Sequence, residues 1–151
     1  MFQFYEKNTG KRMAEIRHLL EINSPAGKIY EAVTTKEGLT GWWTAGAKAI
    51  PEINSIAEFD FGDRYHNEMK IINLIPDKYV EWECIAGDKE WIGTKFSFDL
   101  QEKEGVTTLR FKHYNWREAT DFFASCNYQW GRYMKSLKNY CESGKGSPFQ
   151  N

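Results

Sequence analysis

Cysteine is scarce: Cys84, Cys126 and Cys141 are the three in 151 residues, an odd number at no metal-like spacing. That speaks against a disulfide framework or a thiolate metal site and predicts reduced, mostly buried thiols. Long apolar runs are lacking as well. None approaches the roughly 20 residues that span a bilayer, and Met1 to Met13 has no apolar core of a signal peptide. Charge of one sign is not in excess either, with 20 Lys and Arg against 21 Asp and Glu, a net charge of -1. There is no basic footprint for nucleic acid or an anionic membrane surface. Repeats and low-complexity segments are absent. The expectation is one soluble, cytoplasmic domain over 1–151, with 1–13 as an N-terminal arm or extra strand.

Catalytic signatures are missing too. There are no paired carboxylates at motif spacing, no Ser-His-Asp pattern and no metal set. Gly144-Lys145-Gly146-Ser147 lacks the spacing of a phosphate-binding loop and follows a helix instead of preceding one. Asp60-Phe61-Gly62 matches a kinase signature by chance, since its companion motifs are missing. No catalytic residue, metal or cofactor is predicted.

What the sequence has is rings: six Trp, eight Tyr and ten Phe, 16% of residues, enough to line a cavity as well as fill a core. Their placement follows clear periods. Ala14, Ile16, His18, Leu20 and Ile22 alternate with charged neighbours, the period of a half-buried strand over Ala14 to Asn23. Ser24-Pro25 reads as an N-cap and first helical residue, with Ile29, Ala32 and Val33 forming the buried stripe of a short helix. Thr35 opens a second short segment that ends at Trp42-Trp43. From Ala47 to His113 the pattern becomes an antiparallel meander with inward rows Ala57/Phe59/Phe61, Val80/Trp82/Cys84, Thr94/Phe96/Phe98/Leu100 and Thr107/Leu109/Phe111/His113. In Asn67 to Ile75, Met69/Ile71 compete with Ile72/Leu74 for the inner face, which leaves the register open. Asn115 with Glu118 forms a capping-box pattern, and Phe122, Cys126, Trp130, Tyr133, Leu137 and Cys141 recur at helical spacing. This predicts a helix from Trp116 to Ser143, stopped at Gly144.

The order is α+β, an antiparallel sheet with helices on one face. If the sheet curves, a gap opens between it and the helix near Phe122, Phe123 and Cys126.

Four segments carry a resemblance: Ile22-Asn23-Ser24-Pro25-Ala26-Gly27-Lys28-Ile29-Tyr30-Glu31-Ala32-Val33-Thr34-Thr35 with Leu39 and Trp42-Trp43; Asn73-Leu74-Ile75-Pro76 with Val80-Glu81-Trp82; the Thr107 to His113 strand; and Trp130 to Leu137 leading to Gly144-Lys145-Gly146-Ser147-Pro148-Phe149. Together they resemble the START/Bet v 1-like (SRPBCC) superfamily, and within it the activator of heat-shock protein 90 ATPase homologue family. The resemblance implies a helix-grip fold: a curved antiparallel sheet wrapped around a long C-terminal helix, with two short helices after the first strand and a pocket between sheet and helix. It also implies apolar ligands of the kinds bound across the superfamily, lipids and polyketides among them.

Trp43, Phe59, Trp82, Phe96, Phe111, Phe123 and Trp130 are the candidate pocket walls, rings that would otherwise simply pack the core. His113, at the end of its inward row, is a candidate hydrogen-bonding group or general base, with a structural histidine as the alternative. Cys126 is placed at the pocket as an inert thiol, since nothing basic adjoins it. His18 reads as structural, and Asp60, Asp63, His66 and Glu68 as a solvated hairpin. The leading expectation is binding of a small hydrophobic or aromatic molecule without catalysis. Two alternatives stand beside it: a polyketide cyclase or aromatase with His113 as base, and a protein-interaction module whose partner is a chaperone or a second copy of the chain.

Overall fold

The computed structural model describes residues 13–150, so the expected arm or strand at the N-terminus lies outside the described residues save Met13. Seven strands form one antiparallel sheet: β1 (Ala14–Ile22), β2 (Gly46–Lys48), β3 (Ile56–Phe61), β4 (Tyr65–Ile75), β5 (Tyr79–Ala86), β6 (Lys95–Lys103) and β7 (Val106–Trp116). Their order is β1-β7-β6-β5-β4-β3-β2, so the first strand returns to pair with the last and β2 forms the other edge. The inward rows read from the sequence are the buried ones, and Val80, Phe96, Phe98, Leu109 and Phe111 lie together in the core. Irregular pairing between Glu68 and Met69 and between Ile71 and Asn73 marks bulges in β4, which bend a strand and strengthen its twist. The second settles the competition in that segment. Met69 and Ile71 face inward before it, and Leu74 also reaches the core after it.

Two short helices, α1 (Ala26–Thr34) and α2 (Lys36–Trp42), follow β1, and a long helix, α3 (Asp121–Ser143), closes the described chain. Ile29, Ala32 and Val33 are the buried stripe of α1, as their spacing requires. Its cap differs from the sequence expectation. Pro25 occupies the N-cap position, Ser24 Oγ is buried without a partner, and the Glu102 carboxylate of β6 accepts the Ala26 N–H at 2.7 Å. A cap supplied from across the fold has no local signature.

The start of α3 is also corrected. Asn115 does not cap it: its φ of 68° lies in the left-handed region, and the strand continues to Trp116. Trp116 is drawn into the core against His113 and Phe123, at 4.6 and 5.0 Å between ring centroids, which holds this stretch extended. Thr120 caps instead, its hydroxyl accepting from Phe123 N at 3.2 Å and donating to Glu90 at 2.6 Å. At the other end Gly144 adopts φ 83°, the left-handed stop expected there.

The C-terminal half of α3 is fixed. Met134, Leu137 and Cys141 are buried, and each such apolar side chain contributes about 1.5–3 kcal/mol. Ser136 donates to the Trp42 carbonyl at 2.7 Å, and Glu142 accepts from Asn23 N at 2.7 Å. Past the helix, Phe149 donates to Trp43 O at 2.8 Å and accepts from Ala45 N at 2.9 Å, fastening the tail beside β2. No described helix is long and apolar enough to cross a membrane.

Candidate functional site

The inward aromatic rows meet the Trp42-Trp43 pair to form a continuous ring lattice. Trp43 ends α2 and lies 4.5 Å from Phe59, 5.8 Å from Trp82 and 5.2 Å from Trp130, centroid to centroid. Phe111 packs on Trp130 at 4.5 Å, and Trp91, from the β5–β6 loop, runs within 13° of parallel to Trp130 at 6.4 Å.

His113 is sealed inside this lattice, fully buried and stacked on Phe96 at 3.9 Å. Trp130 Nε1, which has only a proton to give, donates to Nδ1 at 3.1 Å, so the ring proton sits on Nε2. Nε2 donates to Thr94 Oγ1 at 2.9 Å, and that hydroxyl donates to the Trp91 carbonyl at 2.6 Å. Burial holds the imidazole pKa well below its ordinary value, which keeps it neutral. Both nitrogens are engaged, and the ring does not open onto the cavity described next.

That cavity, of about 600 Å³, lies under the N-terminal half of α3, where the helix stands off the sheet. The β3–β4 turn from Phe61 to Tyr65 forms one side, Asp88 and Trp91 a second, and Trp43 with Phe149 the inner end. The helix contributes Phe122, Ser125, Cys126, Gln129, Trp130 and Tyr133. Of the nine residues singled out in the sequence, Trp43, Cys126 and Trp130 line it. Phe59, Phe96, Phe111 and His113 form the layer behind, Trp82 lines a small apolar crevice with Val33, Ala57 and Ile71, and Phe123 packs on Trp116. Burial pushes the Cys126 thiol up to about 11, outweighing the opposing effect of the neighbouring Trp91 indole, with Asp88 and Glu90 adding lesser upward contributions. It is a protonated wall group at neutral pH.

Sequence reasoning missed Asn67, Trp91 and Phe149. Trp91 sits in a loop and Phe149 in a tail, where no period operates. Asn67 belongs to the strand with the open register. A second, shallow concavity of about 810 Å³ at the far end of the sheet is lined largely by charged and polar side chains, Asp77, Lys78, Glu102 and Arg110 among them. His66 stands on the outer sheet face with Nδ1 2.6 Å from Asp60 and Nε2 3.1 Å from Glu68 and 3.8 Å from Glu58. Hydrogen bonds to Asp60 and Glu68 raise its pKa. Asp63 lies apart from this set, at the cavity mouth.

The architecture of a curved sheet gripping a terminal helix has counterparts. The family model for activator of Hsp90 ATPase homolog 1-like protein matches residues 23–142. The Aha1 dimer from Colwellia psychrerythraea, a solution structure, is 40% identical, covers 88% of this chain and 99% of its own, and superposes with a TM-score of 0.80. Two more distant structures share the fold alone. DynU16, a putative protein in the dynemicin biosynthetic locus, is 19% identical with a TM-score of 0.71, covering 87% of this chain and 48% of its own. The protein SSP2350 from Staphylococcus saprophyticus is 13% identical with a TM-score of 0.73, covering 91% and 100%. Comparison with the curated proteins finds no match. The match over 23–142, the 40% identical relative and the helix-grip architecture place the chain in one family: it belongs to the activator of Hsp90 ATPase homolog 1-like proteins, of the START/Bet v 1-like superfamily.

Proposed function

We propose that the chain binds a small hydrophobic or aromatic molecule in the cavity under α3, without catalysing its conversion. The observation that carries this reading is a volume of about 600 Å³ walled by Trp43, Trp91 and Trp130, within the size range of small-molecule sites. Excluding water from such walls is worth about 25 cal/mol per Å² of apolar surface covered. The cyclase reading assigned His113 the part of base. Its two nitrogens are held by Trp130 and Thr94 behind the cavity wall, so that assignment finds no support.

The test is native mass spectrometry of the purified protein, with extraction of any co-purifying molecule, alongside melting curves against a library of lipids and aromatics. A bound molecule of defined mass, or a raised Tm with library members, is expected. Ser125 is exposed and lines the cavity, so Ser125→Trp fills the space without disturbing the core and should weaken binding at least tenfold. An empty protein unmoved by every library member would overturn the reading.

A second reading concerns assembly. The 40% identical relative is described as a dimer, and this chain is proposed to pair likewise, with sedimentation equilibrium as the measurement. A monomer at all concentrations tested would remove it.

A further inference from the structure

We propose that Asn67 is the polar recognition point of the cavity, and that the molecule it selects is a flat, non-anionic aromatic carrying a ring carbonyl or hydroxyl. The inference rests on the ligand-binding reading above and adds the ligand's polarity to it. Asn67 lies on the inward row of β4 with Met69 and Ile71, lines the cavity and is only 3% exposed. Its carboxamide is not sealed from solvent but opens onto the cavity, in contrast to the enclosed and fully satisfied His113 in the layer behind. An amide that opens onto a cavity walled by rings can take a hydrogen-bond partner from the molecule that fills it.

The backbone is shaped around this side chain. Gly87 adopts φ +142°, and a Cβ there would stand 2.3 Å from Asn67 Oδ1, so the amide occupies space that any other residue at 87 would claim. A carboxamide offers two N–H donors and an acceptor oxygen, which suits a carbonyl or a hydroxyl. Negative charge is disfavoured by what surrounds it. The charged residues that line the cavity are Asp63 and Arg64, exposed at the β3–β4 turn, and Asp88, half-buried in the β5–β6 loop. Asp88 follows Gly87, so an anionic group brought to Asn67 would be set beside a half-buried carboxylate. Flatness follows from the walls, since Trp130 lies within 28° of Trp43 and 13° of Trp91 and rings prefer offset stacking.

The experiment uses the full chain and three probes of one shape: fluorene, 9-fluorenone and 9-fluorenone-4-carboxylate, titrated by tryptophan quenching. The ketone is expected to bind about tenfold tighter than the hydrocarbon, equivalent to about 1.4 kcal/mol, and tighter than the carboxylate. In Asn67→Leu the preference for the ketone should vanish, the ketone and the hydrocarbon binding with equal affinity. This variant loses no protein hydrogen bond and is expected to melt no lower than wild type. Asn67→Asp, of the same size but without the donor, provides the same readout should the leucine variant misfold. Equal wild-type affinity for fluorene and fluorenone would mean that water satisfies the amide, and would overturn the inference while leaving ligand binding intact. Tightest binding of the carboxylate would overturn the non-anionic class. Failure of all three probes would overturn the inference as well, and the lipid and aromatic library then decides separately whether the cavity binds anything.

Discussion

Removing the His113 imidazole strands the Trp130 N–H in a space that water does not reach. His113→Leu is therefore expected to lower the unfolding free energy by about 1–3 kcal/mol, read from urea midpoints. The same residue sets a pH dependence. Its folded pKa is depressed, so the unfolded chain binds the proton more readily and stability rises with pH. That contribution is complete above about pH 6.5 and is lost below it, at about 1.4 kcal/mol per pH unit. His66 acts in the opposite direction. Its pKa is raised, so its contribution is full below the unfolded value and disappears as pH rises through the folded one. Below pH 6.5 the urea midpoint of the His66→Gln variant should thus lie under that of wild type by a constant amount, and the gap should close as pH rises through the raised folded value above 6.5. A gap that widens with rising pH would reverse the role assigned to His66. At Cys126, held at about 11, alkylation of the native protein by iodoacetamide at pH 8 should be slow and should accelerate on adding urea.

Among the elements, α3 has the most to lose at its first turn, because the N-terminal half roofs the cavity. Thr120 joins that turn to the β5–β6 loop through Glu90, both as cap and as donor. Thr120→Ala should cost about 1 kcal/mol and speed amide exchange at Phe123 and Ala124 before the rest of the helix responds. This start was the element boundary least legible in the sequence. Asn115 and Glu118 carry the letters of a capping box, but tertiary packing of Trp116 overrides them. The strands were legible because a half-buried sheet writes its burial into alternation, and Phe59, Trp82, Phe96 and Phe111 were assigned to the inner face on that pattern alone. Alternation says nothing about which inward ring faces a void and which faces another ring. Hence four of the nine candidates lie in the packed layer behind the cavity, while Asn67, whose polarity hides it among inward residues, went unread.

On the scale of the whole molecule, the tail is part of the cavity wall. Cleaving the chain after Lys145 removes the two Phe149 backbone bonds and one ring of the inner end. The truncated protein should keep its sheet by circular dichroism, lose amide protection at Ala45 and bind fluorenone more weakly. Unchanged protection at Ala45 would show that the strap contributes nothing. The ring lattice has a further use. Trp43, Trp82, Trp91 and Trp130 stand close and nearly parallel along one line of contact. Indole transitions at such spacing share their excitation, so the near-ultraviolet circular dichroism should carry a coupled signal that no isolated indole gives. A guest sliding against Trp43 or Trp130 perturbs that coupling directly, and the protein thereby carries its own optical gauge of whether the cavity is filled.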